Sequence, residues 1–142
     1  MSHNLPKILI IDPDLDAIEL ARFALWRSDL PCRFEWFDDA EVANASLLTQ
    51  ALCQSRDMPA LILLDPRNFP GAEGYQLLRT LCVYQAVSHI PLVLFTSSPF
   101  SSDFRIEQDS RIWYAAKPTD PREFMNVLTR CVQSRLYEPA HH

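Results

Sequence analysis

Three short stretches of the chain are almost free of polar residues: Lys7-Ile8-Leu9-Ile10-Ile11, Ala60-Leu61-Ile62-Leu63-Leu64 and Pro91-Leu92-Val93-Leu94-Phe95. None alternates apolar with polar positions, and each is too short for a helix. That pattern predicts strands buried on both faces, as in a parallel sheet. Two weaker candidates are Arg33–Phe37 and 112–115. Between the strands, apolar residues recur at helical spacing: Ala17, Leu20, Ala21, Ala24 and Leu25; Val42, Ala45, Leu48 and Leu52; Leu77, Leu78 and Leu81; and finally Phe124, Val127, Leu128, Cys131 and Leu136. Asp14, Asp39 and Asp120 stand just ahead of three of these stretches. A short acid there can accept from the orphan N–H groups of a first turn, so all three are expected N-caps. The alternation reads as five strand–helix units. It predicts one α/β domain, a parallel five-stranded sheet with helices on both faces. In such a sheet the functional crevice lies beyond the C-terminal ends of the strands.

Composition narrows the chemistry. At 142 residues the chain is expected to form one domain over 1–142, with a core from about residue 6 to 137 and no separate output domain. A net charge of −5 argues against a basic nucleic-acid surface. Only two glycines are present, Gly71 and Gly74, so the glycine-rich phosphate loops of dinucleotide and P-loop proteins are excluded by count. Cys32, Cys53, Cys82 and Cys131 form no CxxC pair; reduced thiols in a cytoplasmic protein are expected rather than a zinc site. No secretory leader and no apolar run of membrane-spanning length is evident, so no membrane partner is expected.

The strand ends carry the candidate chemistry. The first strand runs into Asp12, in LIIDPDLD; the third into Asp65, in LILLDPRNFPGAEGY; the fourth into Thr96, in LVLFTSS; and the fifth is followed by Lys117-Pro118, in IWYAAKPTD. The expected topology brings all four to one edge of the sheet.

In these residues the chain resembles, over roughly residues 6 to 135, the CheY-like receiver domain of two-component response regulators. The resemblance implies a flavodoxin-like (βα)5 fold with strand order 2-1-3-4-5. It implies that Asp65 is the phosphoacceptor, loaded by a histidine kinase or a phosphotransfer protein. Asp12 matches an acid that helps hold Mg²⁺ together with Asp65, and the backbone carbonyl of Arg67 is the nearest match to a third metal ligand. Thr96 matches the hydroxyl residue that contacts the phosphoryl oxygens, and Lys117 the lysine that pairs with them. Tyr114 matches the aromatic whose rotamer follows the phosphorylated state, so that Thr96 and Tyr114 together would form the switch. The chemistry is coherent on physical grounds. A carboxylate attacking phosphorus meets like charge, and neighbouring cations neutralise the transferring oxygens. The new group carries about −1.5 to −2 charges and can draw a neighbouring hydroxyl inward.

Three departures from the pattern matter. The second acid of the usual adjacent pair is replaced by Pro13, which removes a charge and should weaken Mg²⁺ binding. Asp14 lies one residue later, an N-cap that could also reach a metal-bound water. The loop from Asp65 to Pro70 is one residue longer than usual and carries a cation, Arg67. The usual glycine before the fifth strand is absent, with Ser110-Arg111-Ile112-Trp113 there.

The expected role is a stand-alone, non-enzymatic receiver in a phosphorelay, acting on a downstream effector protein. The expected contact face is the fourth helix, fifth strand and fifth helix, a face that could also pair two copies. Two alternatives stay open. One is a pseudo-receiver that binds proteins independently of phosphorylation, with Phe100 and Phe104 joining Trp113 and Tyr114 in an apolar patch. The other is a haloacid-dehalogenase-type phosphatase using Asp12, since Asp12-Pro13-Asp14 has that family's DxD spacing. The Gly-Thr that usually follows is Leu15-Asp16 here.

Overall fold

The structure, a computed structural model, describes residues 5–97 and 111–137. The elements in order are β1 (Lys7–Ile11), α1 (Leu15–Ser28), β2 (Arg33–Phe37), α2 (Ala40–Leu52), β3 (Leu61–Leu64), α3 (Glu73–Val83), β4 (Leu92–Thr96), β5 (Ile112–Ala116) and α4 (Pro121–Leu136). The helix expected between the fourth and fifth strands, with Phe100 and Phe104, falls outside the described residues.

All five strands are parallel and form one sheet in the order β2-β1-β3-β4-β5. The three apolar runs become the central strands β1, β3 and β4, and every residue in them is buried. Successive side chains leave a strand on opposite faces, so each run feeds two cores. Leu9, Ile11, Ile62, Leu64, Leu92 and Leu94 pack under α2 and α3. Ile8, Ile10, Leu61, Leu63, Val93 and Phe95 pack under α1 and α4. Full burial of each such side chain stabilises by about 1.5–3 kcal/mol, which is why no polar alternation survives in these strands.

Lys7 shows how a charge enters such a run. It is buried at the start of β1, where its ammonium meets Glu35 at 3.4 Å and Asp57 at 3.3 Å. Arg33 adds a 2.6 Å ion pair to Asp57, and its hydrogen bond holds the Asp57 carboxyl below its ordinary value. The cluster closes the N-terminal edge of the sheet, at the other end of β1 from Asp12.

The three aspartate caps are in place. Asp14 accepts from Asp16 N, Asp39 from Val42 N and Asp120 from Glu123 N. The buried face of α2 differs from the expected one. Ala40, Ala43 and Leu47 are buried, with Ala51 packed against them, whereas Val42 and Leu52 are exposed. Apolar residues are spread around the helix among Glu41, Asn44, Ser46, Thr49 and Gln50, so periodicity does not single out one face, and the face that packs is made of Leu47 and small alanines. Leu52→Ser is therefore expected to change stability by no more than about 0.5 kcal/mol. Ala43→Leu, which overfills the interface, should cost about 1–3 kcal/mol. Urea midpoints of the two variants check the assignment, and a large loss for Leu52→Ser alone would reverse it.

Candidate functional site

Backbone pairing of the sheet brings the strand ends together. Asp12 N donates to Phe37 O at 3.1 Å, Asp65 N to Ile11 O at 3.2 Å, and Lys117 N to Thr96 O at 2.8 Å. The residue just past the end of each of these strands is thus tied to a neighbouring strand, and parallel register leaves Asp12 and Asp65 side by side at the C-terminal edge. Both are buried to about the same degree, at 4% exposure, and Thr96 at 3%.

The side chains of Asp12, Asp65 and Lys117 form one cluster. Lys117 Nζ donates to Asp65 Oδ2 at 2.7 Å and also to Asp12 Oδ2. Burial works to lower the Lys117 ammonium, but the two carboxylates outweigh it and hold its pKa above the usual lysine value. Thr96 occupies the same edge on β4, opposite Ala116, with its carbonyl accepting from Lys117 N. Asp65 Oδ1 is buried and has no hydrogen-bond partner. An orphaned carboxylate oxygen is costly. Here it lies beside an anchored one, so the same carboxylate presents one fixed and one bare oxygen.

Asp12 is saturated by comparison. Its Oδ1 accepts from Asp14 N at 2.9 Å and from Asn68 Nδ2 at 3.2 Å, and its Oδ2 is held by Lys117. Asn68 was not among the candidates read from the chain. Its only signal is an amide three residues after Asp65, next to Arg67, whose backbone carbonyl is the nearest match to a metal ligand. In the structure Arg67 and Asn68 are both exposed in the loop after Asp65, and the Asn68 amide reaches the acid cluster. The Asp14 carboxylate is exposed and serves the first turn of α1.

The β3–α3 loop is shaped by Gly71 within it and by Gly74 just inside α3. Gly71 has φ +58°, a left-handed conformation that side-chain-bearing residues rarely adopt. Gly74, in the first turn of α3, lies so close to Pro66 that an added Cβ would stand 2.1 Å from the Pro66 carbonyl oxygen. That contact presses α3 against the residue following Asp65.

The edge strand β5 is more open. Trp113 and Tyr114 are 40% and 48% exposed, and the Arg135 guanidinium stacks over the Trp113 ring. Burial lowers Arg135 to about 10, and burial first, then Cys82, raises the Tyr114 hydroxyl.

The donor set is poorly suited to a resident Mg²⁺. Such an ion takes about six oxygens in near-octahedral geometry, usually one or two carboxylates with several waters. Of the four carboxylate oxygens of Asp12 and Asp65, only Asp65 Oδ1 is not already held by an N–H donor. Among the described residues no three Asp, Glu, His or Cys side chains come together to hold a metal. Pro13 stands where a further acid would be, and an ammonium already bridges the two carboxylates present.

No protein-family model matches the chain, and no curated protein matches it. Solved structures do. The phosphorylated cyanobacterial phytochrome response regulator RcpA superposes with a TM-score of 0.78 at 22% identity, over 96% of this chain and 97% of that one. The Mn²⁺-bound form of response regulator Rcp1 gives 0.72 at 18% identity, over 96% and 99%. The Vibrio cholerae chemotaxis protein CheY4 gives 0.66 at 16% identity, over 93% and 99%. The fold is therefore the flavodoxin-like fold of response-regulator receiver domains. Among the described residues no helix is long and apolar enough to cross a membrane.

Proposed function

We propose that the chain is a receiver domain that accepts a phosphoryl group on Asp65 and signals through protein–protein contacts. The observation that carries this reading is the asymmetric Asp65 carboxylate: Oδ2 is held by Lys117 at 2.7 Å while the buried Oδ1 has no partner. In the transfer, Asp65 Oδ1 attacks phosphorus and forms the new P–O bond. The bond from phosphorus to the donor, a phosphohistidine nitrogen or an acyl oxygen, breaks, and its electron pair leaves with the donor. Lys117 offsets negative charge on the transferring oxygens, the kind of preorganised stabilisation that dominates phosphoryl transfer. Thr96, on the neighbouring strand end, is the hydroxyl available to the new group. Tyr114, on the half-open β5, is the aromatic whose exposure would follow it. No step is assigned to Mg²⁺, for which the donor set is unsuited.

The partners in this reading are a histidine kinase or phosphotransfer protein on one side and an effector protein on the other, in the cytoplasm. The exposed Trp113 and Tyr114, backed by Arg135, make β5 and α4 the contact face, for an effector or for a second copy. The whole chain acts as one domain. Turnover as a phosphatase through Asp12 finds no support. Both oxygens of Asp12 are engaged, and Asp14, the second acid of the DxD spacing, caps α1.

Incubation with acetyl phosphate, followed by intact-protein mass spectrometry, tests the proposal. Wild-type protein should gain one phosphoryl group, and Asp65→Asn should gain none. Pro13 and the Lys117–Asp12 bridge favour a second reading, a receiver fold that binds its partner without phosphorylation. Absence of any mass gain in the wild type, with or without divalent ions, would select it.

A further inference from the structure

The acid cluster already contains a cation. We propose that Lys117, rather than a divalent ion, is the resident counter-charge of this pocket, and that Asn68 is the positioning residue that keeps Asp12 turned toward it. Three features carry this.

The first is the orientation of donors around Asp12. Asp14 N–H, the Asn68 amide and the Lys117 ammonium all point at its oxygens. Only the N–H₂ end of an amide can bond to a carboxylate, so Asn68 presents positive hydrogens where a metal ion would need bare oxygen. The second is charge. Two carboxylates and one ammonium leave the cluster one negative charge from neutral. A divalent ion added beside the ammonium meets a cluster of only one net negative charge and is repelled by Lys117. It is therefore held far more weakly than by two bare carboxylates, and it gains their full attraction only if Lys117 is expelled. Expulsion gives up two charge-assisted hydrogen bonds, the stronger kind. The third is the missing ligand. Pro13 carries no carboxylate, and the Asp14 carboxylate is engaged at Asp16 N.

The inference concerns regulation of the same pocket in which Asp65 is the proposed phosphoacceptor, and its consequence for signalling rests on that reading. Divalent ions would compete with Lys117 rather than assemble the site, and phosphoryl uptake would depend little on them.

Mn²⁺, the ion in the Rcp1 structure, is the probe. Its binding to the full chain is followed by loss of the free-ion paramagnetic resonance signal, for wild type, Asn68→Asp and Lys117→Gln. Wild type should bind weakly. Asn68→Asp exchanges a donor for a third carboxylate and should tighten binding about tenfold or more, as affinity follows ligand charge. Lys117→Gln removes the competing cation and should tighten it as well. Thermal melts with and without Mn²⁺ accompany each titration, and an ion-dependent rise in midpoint is expected for the two variants and not for wild type. Wild-type binding as tight as that of the variants overturns the proposal, and so does failure of both variants to bind. Acetyl phosphate reactions in chelator and in Mg²⁺ keep the two readings apart. Uptake strictly dependent on Mg²⁺, with tight wild-type binding, overturns this inference and leaves Asp65 as acceptor. No uptake under any condition removes the acceptor and leaves the Mn²⁺ titration to decide.

Discussion

Replacing Gly74 by alanine is expected to destabilise the protein by about 3 kcal/mol, the upper range for forcing extra atoms into a packed site. An alanine Cβ would lie 2.1 Å from Pro66 O and 2.8 Å from both Pro66 C and Cα. All three are backbone atoms, so no side chain can swing aside. Either α3 must lift from the sheet, uncovering Leu77, Leu78 and Leu81, or the Pro66 peptide must move and take Asp65 with it. Alanine's better helix propensity, about 1 kcal/mol over glycine, offsets only part of this. Gly71→Ala is the control. Nothing lies within 4 Å of its added Cβ, and only the positive φ is strained. Its cost should stay near 1 kcal/mol. Urea denaturation gives both numbers, and equal costs would show that crowding at Pro66 is not the constraint. Phosphoryl uptake should fall with Gly74→Ala and persist with Gly71→Ala, because only the former moves the residue after Asp65.

Lys117→Met should be comparably damaging at neutral pH. The substitution keeps length and removes the charge, leaving Asp12 and Asp65 buried with no cation between them. Breaking a buried pair by removing one partner costs about 3–5 kcal/mol. Two neighbouring carboxylates without a counter-charge resist joint ionisation, so the deficit should shrink as the solution is acidified and one takes up a proton. Adding Asp65→Asn to Lys117→Met should recover part of the loss for the same reason. At the alkaline end the sign is opposite. The folded-state pKa of Lys117 is raised above its ordinary 10.5. Its stabilising contribution is therefore complete below that value and lost as pH climbs through the raised folded value. Chemical denaturation of wild type and variant at a series of pH values gives the difference directly. The gap should be widest near neutrality and close toward both extremes. A gap independent of pH would mean that Lys117 acts through packing alone.

Much of this architecture was legible in the order of residues. Buried parallel strands need apolar side chains on both faces, so β1, β3 and β4 announced themselves as unbroken runs, to within one residue of their observed ends. Asp14, Asp39 and Asp120 were legible because a cap is a local device, an acid within reach of N–H groups two or three residues on. Alternation of strands and helices fixed the kind of sheet, and the polar residues at strand ends pointed to its C-terminal edge. The face of α2 was not legible. In a helix whose apolar residues are spread over several faces, the choice between Val42 and Ala43 depends on how α3 and the sheet pack against it.

The chain by itself determined that Asp12, Asp65, Thr96 and Lys117 would share one edge, because local pattern and parallel connectivity suffice for that. Only the tertiary structure decided how they meet. Lys117 reaches Asp12 across 105 residues of chain and Asp65 across 52, and Asn68 reaches Asp12 across 56. Such contacts depend on strand register, on the close packing of Gly74 against Pro66 and on side-chain direction. No window of sequence contains them. That is why a proline in LIIDPDLD could be read as a lost ligand, while the ammonium bridging the remaining acids had to be seen.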